Sequence, residues 1–357
     1  MNWYPLKLTA PVRQYAFGAR LIPDRLGKGG LPDGIIAETW EFSDEASARG
    51  IVTNGDHAGT ALHDLVAQFP DELVGEGWRG PHFPLLGKFL DASHRLPVHL
   101  HADDATAKAI YGAPNGKTEA WHILWCADDA SILAGVKPNL SDDDLRAAFL
   151  GEDYDRVMYR HPITPGDTVY VPGGALHTFG PDTLIFEIQQ TSDIAQSVMP
   201  TDLAGNRLSD DVWRQNIDAT LRELNRAPRP RPTHGLDRQK GNNRVTVCAA
   251  GPHFALERWK LTEPLRLTLP AGRCATLTNL VDPVGLTWSS GTDLVGRAES
   301  RILPAALREV TVVPDGLAYV LVCYVPDLAS DIVGPLRAAG YGDEEIGALG
   351  EVAAISA

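Results

Sequence analysis

Four side chains in the first half of the sequence have the types and spacing that bind a divalent metal ion. His99 and His101 stand two positions apart in RLPVHLHADD, which places both imidazoles on one face of a strand. Glu119 opens the strand-like run EAWHIL, and His177 follows a turn in GDTVYVPGGALH. Three neutral imidazoles and a carboxylate suit a borderline divalent ion and leave positions for water or substrate oxygens. The sequence therefore predicts one metal site.

The joint pattern carries this prediction, because a chain with 11 histidines will place two of them close together by chance. A single buried histidine is more often a hydrogen-bonded core residue than a ligand. His82, His94, His122 and His161 have no companions at ligand spacing. We expect ordinary core or surface positions for these four residues.

Short strands are the elements expected to position the ligands. Residues 163–190 alternate with the period of a strand and are interrupted by turns. Helices are predicted after Ser141, after Ser209 and near residues 62–73, since a serine N-cap followed by acidic residues stabilises a helix start. The helix after Ser209 is expected to bury a face that includes Val212. The expected fold class is all-β with inserted helices.

The sequence predicts three segments. Residues 1–200 form the metal-binding domain, with N-terminal strands and inserted helices. Residues 201–243 supply a helix and a linker, because the stretch from Arg226 to Arg244 is rich in proline and basic residues. Residues 244–357 form a second β domain, which has His253 but no paired-histidine string. We expect this second domain to be metal-free and structural.

Composition narrows the classes of partner. The net charge of -14 argues against nucleic acid or an anionic membrane surface as the main partner, because both favour basic proteins. No signal peptide or membrane-spanning run is recognisable. Cys126, Cys248, Cys274 and Cys323 stand far apart and are expected to be buried reduced thiols. We therefore expect a cytoplasmic protein, a monomer or homodimer, that acts on a small molecule.

Several segments carry a family resemblance. The string from Gly166 to His177 has the form G-x5-P-x-G-x2-H, which resembles the second motif of the cupin superfamily. Over most of the first 200 residues the chain is similar to the class I mannose-6-phosphate isomerases, which are cupin enzymes. The matching segments are IIAETWEFSD (35–44), FPLLGKFLDASHRLPVHLHADD (83–104), NGKTEAWHIL (115–124) and GDTVYVPGGALHTFGPDTLIFEIQQTSD (166–193).

The resemblance implies a fold, a ligand set and a metal. The fold would be two cupin-type β-barrel (jelly-roll) domains with a small helical insertion. The metal ligands of the family fall on His99, His101, Glu119 and His177. Zinc is the first choice for the ion, and manganese, iron and cobalt remain open.

The resemblance also implies an activity, the interconversion of mannose 6-phosphate and fructose 6-phosphate through a cis-enediol. Lys117 is assigned to substrate binding and charge stabilisation. Trp121 and Glu187 are assigned to substrate binding or to orienting the metal ligands. His122 is the first candidate for proton transfer, and Asp103 is the second.

Two departures from the family pattern keep other functions open. His99 stands where the family has glutamine, and Gln196 and Ser197 stand where it has tyrosine and arginine. A phosphate that loses such a cation loses charge-assisted hydrogen bonds worth roughly 1.5–3 kcal/mol each. Arg207 or an arginine of residues 226–244 could replace it. The alternatives are an isomerase or epimerase of an unphosphorylated sugar, an iron or manganese oxygenase, and a sugar-binding cupin without catalysis.

Overall fold

The computed structural model describes residues 2–269 and 272–352, and antiparallel β-sheet dominates it. The strands of the first half are β1 (Val12–Arg13), β2 (Glu38–Phe42), β3 (Leu85–Ala92), β4 (His99–Leu100), β5 (Glu119–Cys126), β6 (Ser131–Val136), β7 (Met158–Pro162), β8 (Thr168–Val171), β9 (His177–Phe179), β10 (Thr183–Gln190) and β11 (Gln196–Ser197). Those of the second half are β12 (Leu236–Lys240), β13 (Asn243–Ala250), β14 (Ala255–Leu261), β15 (Leu265–Thr268), β16 (Ala275–Asn279), β17 (Val284–Trp288), β18 (Gly291–Val295), β19 (Ser300–Leu303), β20 (Glu309–Pro314) and β21 (Ala318–Tyr324).

Helices are inserted between the strands, so the predicted mostly-β class is confirmed. The α-helices are α1 (Leu62–Gln68), α2 (Pro70–Leu73), α3 (Asp104–Thr106), α4 (Asp142–Leu150), α5 (Tyr154–Val157), α6 (Asp210–Glu223), α7 (Gly334–Ala338) and α8 (Asp343–Gly347). Short 3-10 or π turns cover Ile22–Leu26, Gly55–His57, Ala107–Tyr111, Ala305–Leu307 and Leu328–Val333. Among the described residues, no helix is both long and apolar enough to cross a membrane.

The first half of the chain forms two sheets that pack against each other. One is six-stranded in the order β1-β2-β3-β10-β5-β8, and the other is five-stranded in the order β11-β4-β9-β6-β7. Apolar side chains such as Trp121, Ile185 and Phe179 fill the space between them. Strand β10 lies in the middle of its sheet, and both of its faces are buried.

The sheets are not closed into barrels, so that part of the prediction is wrong. The reason lies at the edge formed by β8. Thr168 exchanges backbone hydrogen bonds with Thr233 at 2.8 and 2.9 Å, so a crossing segment occupies the edge that closure would need. The second half repeats the arrangement, with sheets in the orders β12-β13-β14-β21-β16-β19 and β15-β20-β17-β18.

Part of the predicted linker is a strand instead. Residues 236–240 form β12, which pairs with β13 through a hairpin whose loop is Gly241 and Asn242. Gly241 has φ +64°, and glycine in the first loop position suits a tight two-residue hairpin turn. The basic side chains of β12 can reach solvent, because β12 lies at the edge of its sheet.

The two halves share backbone hydrogen bonds and a core. Leu6, near the N-terminus, exchanges hydrogen bonds with Ile302 of β19 at 2.8 and 2.9 Å. One apolar cluster contains Phe42 and Phe186 from the first half together with Trp259 from the second. The N-terminal segment therefore connects the halves directly.

The predicted helix caps are confirmed. Ser141 accepts a hydrogen bond from the backbone N–H of Asp144 at the start of α4, and Ser209 caps α6 in the same way. Helix α6 buries Trp213 and Ile217, whereas Val212 is 42% exposed, so the prediction that the buried face includes Val212 is wrong. The four cysteines are buried and free, as predicted.

Candidate metal centre

Strand pairing brings the histidines together. His99 on β4 lies directly opposite His177 on β9, and His101 follows two positions after His99. The ring centroids of His99 and His177 are 4.3 Å apart, and that of His101 lies 4.7 and 5.0 Å from them. One nitrogen from each ring lies within 4.8 Å of the others. The geometry is that of a potential three-nitrogen metal site.

Backbone carbonyls orient all three rings. The Nδ1 atoms lie 2.6 Å from the Pro97 carbonyl for His99, 2.8 Å from the Ile194 carbonyl for His101, and 2.8 Å from the Ala175 carbonyl for His177. A carbonyl oxygen only accepts, so each Nδ1 carries the proton and each Nε2 keeps its lone pair. The Nε2 atoms of His99 and His177 are 3.1 Å apart. Two lone pairs at that distance repel each other, and a cation between them would remove the repulsion.

Glu119 completes the cluster from the facing sheet. Its Oε1 lies 3.2 Å from Nε2 of His177, and its Oε2 lies 3.2 Å from Nε2 of His101. The indole of Trp121 donates a 2.8 Å hydrogen bond to Oε1. The buried Oε2 has no hydrogen-bond partner among the described residues, although Nζ of Lys117 is 3.1 Å away. A buried carboxylate oxygen without a hydrogen bond fits a metal ligand.

The protonation states suit a metal as well. Burial, followed by the repulsion that a protonated His177 would exert, lowers the pKa of His99. Burial and the Lys117 ammonium lower the pKa of His101 to about 3. Burial alone would raise the pKa of Glu119, but Lys117 and the histidines outweigh it and hold that pKa well below its ordinary value. Neutral imidazoles and an ionised carboxylate are the forms that bind metal.

The chain is 30% identical over 318 residues to a probable mannose-6-phosphate isomerase of Bacillus subtilis, which covers 87% of this chain and 96% of that protein. The chain belongs to the mannose-6-phosphate isomerase family. A mannose-6-phosphate isomerase of Streptococcus mutans is 29% identical, over 74% of this chain and 81% of that protein. No family model matches the sequence.

Solved structures of mannose-6-phosphate isomerases have a fold similar to that of this chain. The mannose 6-phosphate isomerase from Bacillus subtilis superposes with a TM-score of 0.80 at 23% identity, covering 90% of this chain and 99% of that one. A mutant phosphomannose isomerase from Salmonella typhimurium superposes with a TM-score of 0.71 at 13% identity, covering 90% and 99%. The similarity of fold therefore extends over both halves of the chain.

In this member of the family a cavity of about 370 Å³ opens above the cluster. Three of the four predicted ligands, His99, His101 and Glu119, line it, while His177 lies behind them. Lys117 and Glu187 line it too. Gln196 and Ser197, the two residues that depart from the family pattern, also line it. Among the described residues, no arginine lines this cavity.

A second group of charges lies beside the cluster. The ammonium of Lys88 on β3 is 3.1 Å from Glu187 on β10 and 3.6 Å from Glu38 on β2. Lys117 is 3.9 Å from the same oxygen of Glu187. Burial, followed by the negative charge of Glu119, raises the pKa of Glu187. The sequence interpretation missed Lys88, although a lysine inside the otherwise apolar run LLGKFL was a usable signal.

The structure does not bring every predicted residue to the cavity. His122 lies on the opposite face of β5 from Glu119 and does not line the cavity, because alternate residues of a strand point to opposite sides. Its Nδ1 is 2.9 Å from the Thr168 hydroxyl. Asp103 caps α3, where it accepts a hydrogen bond from the Thr106 backbone. Trp121 is fully buried behind Glu119, so it orients that carboxylate and is not exposed to a substrate.

The cluster predicts how metal binding depends on single histidines. We expect purified protein to hold about one divalent ion per chain, and His177→Ala to lower metal affinity by more than about 100-fold, since it removes a ligand. Elemental analysis and competition with a chelator measure this. His161→Ala, on strand β7 away from the cluster, is the control and should retain the ion. Equal metal content in both variants would contradict the site.

The position of His122 predicts a pH effect on stability. Burial and the Arg258 charge lower its pKa from 6.5 to about 3. Below pH 6.5 the unfolded chain takes up a proton that the folded chain refuses, so the free energy of unfolding falls by about 1.4 kcal/mol per pH unit until the folded pKa is reached. His122→Gln should make urea unfolding less sensitive to pH by about 2 kcal/mol between about pH 7 and 5. His94→Gln, at an exposed site, is the control and should leave the pH dependence of unfolding as in the wild type. A His122→Gln protein with the wild-type pH dependence would refute the lowered pKa of His122.

Proposed function

We propose that this protein is a metal-dependent aldose-ketose isomerase that interconverts mannose 6-phosphate and fructose 6-phosphate. One observation carries the proposal: three imidazole Nε2 atoms and a carboxylate converge beneath a cavity in a member of the mannose-6-phosphate isomerase family. The relatives are isomerases by name, which favours isomerisation over the oxygenase and binding-protein alternatives. We further expect a monomer or homodimer in the cytoplasm.

The ligand set that we propose is His99, His101, Glu119 and His177. The Oε2 of Glu119, which has no hydrogen bond among the described residues, and the facing lone pairs of His99 and His177 support it. A divalent ion bound there supplies Lewis acidity toward the carbonyl and hydroxyl oxygens of a sugar. Zinc suits three nitrogen ligands and one oxygen ligand. The same ligand atoms would also bind manganese, iron or cobalt.

Lys117 is suited to stabilise negative charge at the reacting end of the sugar. Its Nζ lies 3.0 Å from Nε2 of His101 and 3.1 Å from Oε2 of Glu119. Its side chain is only 5% exposed, so its charge is poorly screened by water. The ammonium can donate to a sugar oxygen as that oxygen gains charge on the way to the enediol.

We assign proton transfer to Glu187, because His122 faces the other side of the sheet. Glu187 lines the cavity, and its Oε1 has no hydrogen bond although it is close to Lys88. Its carboxylate would take the proton from C2 of the aldose and return it to C1 of the enediol, while the hydroxyl proton moves from O2 to O1. Lys88 then positions the carboxylate and compensates its charge.

A second candidate substrate is an unphosphorylated sugar, and the charges of the cavity favour it. Carboxylates outnumber ammonium groups in the lining, and each lysine is already near a glutamate. The other lining residues that could donate a hydrogen bond to a phosphate, such as Thr201 and Asn216, are neutral. The acidic lining residues are Glu38, Glu119, Glu187, Asp193 and Asp202, against Lys88 and Lys117.

A substrate comparison tests the proposed function. We expect kcat/KM for mannose 6-phosphate to exceed that for mannose by at least about tenfold, or about 1.4 kcal/mol. Coupled assays that detect fructose 6-phosphate and fructose measure both rates, with His177→Ala as the background. A higher value for mannose would select the second candidate. Inactivity of the metal-loaded protein on both sugars would refute the proposal.

The assignment of Glu187 predicts a specific variant. Glu187→Gln should lower kcat by about 10²–10⁴-fold with its metal retained, because the side chain keeps its size but loses the proton-accepting oxygen. Steady-state kinetics and elemental analysis on one preparation measure the two effects. Glu223→Gln is the matched control, since Glu223 is buried outside the cavity and hydrogen-bonded to Tyr111. If Glu187→Gln changes kcat by less than about twofold, Glu187 does not transfer the proton.

A further inference from the structure

A second cavity lies on the other side of β5 and is strongly basic. It has a volume of about 560 Å³ and lies where the two halves of the chain meet. Its lining includes five basic side chains, Arg25, Arg244, Arg258, Lys260 and Arg297. Among the described residues, no aspartate or glutamate lines it. We call this cavity the basic groove.

The concentration of positive charge is unexpected in a chain with a net charge of -14. Arg244 has an acidic partner, Asp237, at 3.3 Å. No ion pair to a described residue is formed by Arg25, Arg258, Lys260 or Arg297. Four cations that share a concave surface without acidic partners repel one another, and an anion would relieve that repulsion.

The arginines are held in place by neutral groups. Nη1 of Arg258 donates to the Gly166 carbonyl at 3.1 Å, and Nε of Arg297 donates to the Leu26 carbonyl at 2.7 Å. The guanidinium of Arg25 lies 4.3 Å from the ring centre of Trp125. Each guanidinium has five N–H donors, so the anchored arginines keep donors available for an anion.

A β-bulge turns Trp125 into the basic groove. Leu184 pairs with Trp125 while Ile185 pairs with Ile123, so Leu124 is an extra residue in β5. Strict alternation would send Trp125 to the same side as Trp121 and Ile123, toward the metal centre. The bulge shifts the phase, and Leu124 and Trp125 both pack on the groove side. Trp125 thereby provides the flat surface on which Arg25 rests.

We propose that the basic groove binds a small phosphate-bearing anion, at a site separate from the candidate metal centre. Arg258 and Lys260 line it from β14, Arg25 lines it from the turn at Ile22–Leu26, and Arg297 lines it from the loop before β19. A phosphate dianion between them receives charge-assisted hydrogen bonds from both halves of the chain. The volume leaves room for an organic body beside the phosphate, with Trp125 and Tyr319 as apolar contacts.

Calorimetric titration of the metal-loaded protein tests the proposal with three probes: inorganic phosphate, AMP and adenosine. We expect phosphate or AMP to bind and adenosine not to bind. Binding of AMP tighter than phosphate would mean that the groove also recognises the organic body, and equal affinities would mean that it recognises the phosphate alone. Raising the salt concentration should weaken binding, because the contacts are ionic.

Variants locate the binding. The double variant Arg25→Gln, Lys260→Gln should lower the affinity for phosphate or AMP by at least about tenfold, because two cations are lost. Arg297→Gln provides an independent variant in the loop before β19. Arg222→Gln, an exposed arginine on α6 outside the groove, is the control and should bind like the wild type.

Two results would overturn the proposal. One is that neither phosphate nor AMP binds the wild-type protein at millimolar concentration. The other is that the double variant and Arg297→Gln bind with wild-type affinity, which would place the anion elsewhere, for instance at the metal centre. Isomerase activity is measured on the same variants, and its retention separates failure of this proposal from failure of the proposed function.

Discussion

Three imidazoles and one carboxylate lie against one another, with His101, His177 and Glu119 buried and His99 half-buried, and the first half of the molecule is arranged to hold them there. Burying such polar groups is unfavourable unless their atoms have partners. Backbone carbonyls bind every Nδ1, and the Trp121 indole binds one oxygen of Glu119. One nitrogen of each ring then lies within 4.8 Å of the others, which is why the site fits a divalent cation.

Charge balance around this centre extends across three neighbouring strands. Glu38 on β2, Lys88 on β3 and Glu187 on β10 alternate in sign, and Lys117 connects them to Glu119. Because these groups are buried, the charge state of each depends on the others. The two glutamates raise the pKa of Lys88 in spite of its burial, whereas burial and Glu119 raise the pKa of Glu187. The cavity therefore combines a permanent cation with a carboxylate that readily accepts a proton.

Strand β5 separates two chemically opposite environments. Glu119 and Trp121 face the candidate metal centre, while His122 and Leu124 face the basic groove. The acidic cavity and the basic groove thus share one strand, and each is lined by residues that the other lacks. The alternation of side chains makes this possible, and the bulge at Leu124 adds Trp125 to the groove side.

The sequence alone determined the features that depend on residue type and local spacing. These are the ligand-type residues His99, His101, Glu119 and His177, the mostly-β class, and the serine caps of α4 and α6. The side on which His122 lies follows from the same strand spacing, three positions after Glu119. Only the tertiary structure decided the role of Lys88, the open sheets and the basic groove. The physical reason is that these features depend on strand phase, bulges and pairing between residues far apart in the chain. Arg25, Arg258 and Arg297 are unremarkable in the sequence and become a site only where the two halves meet.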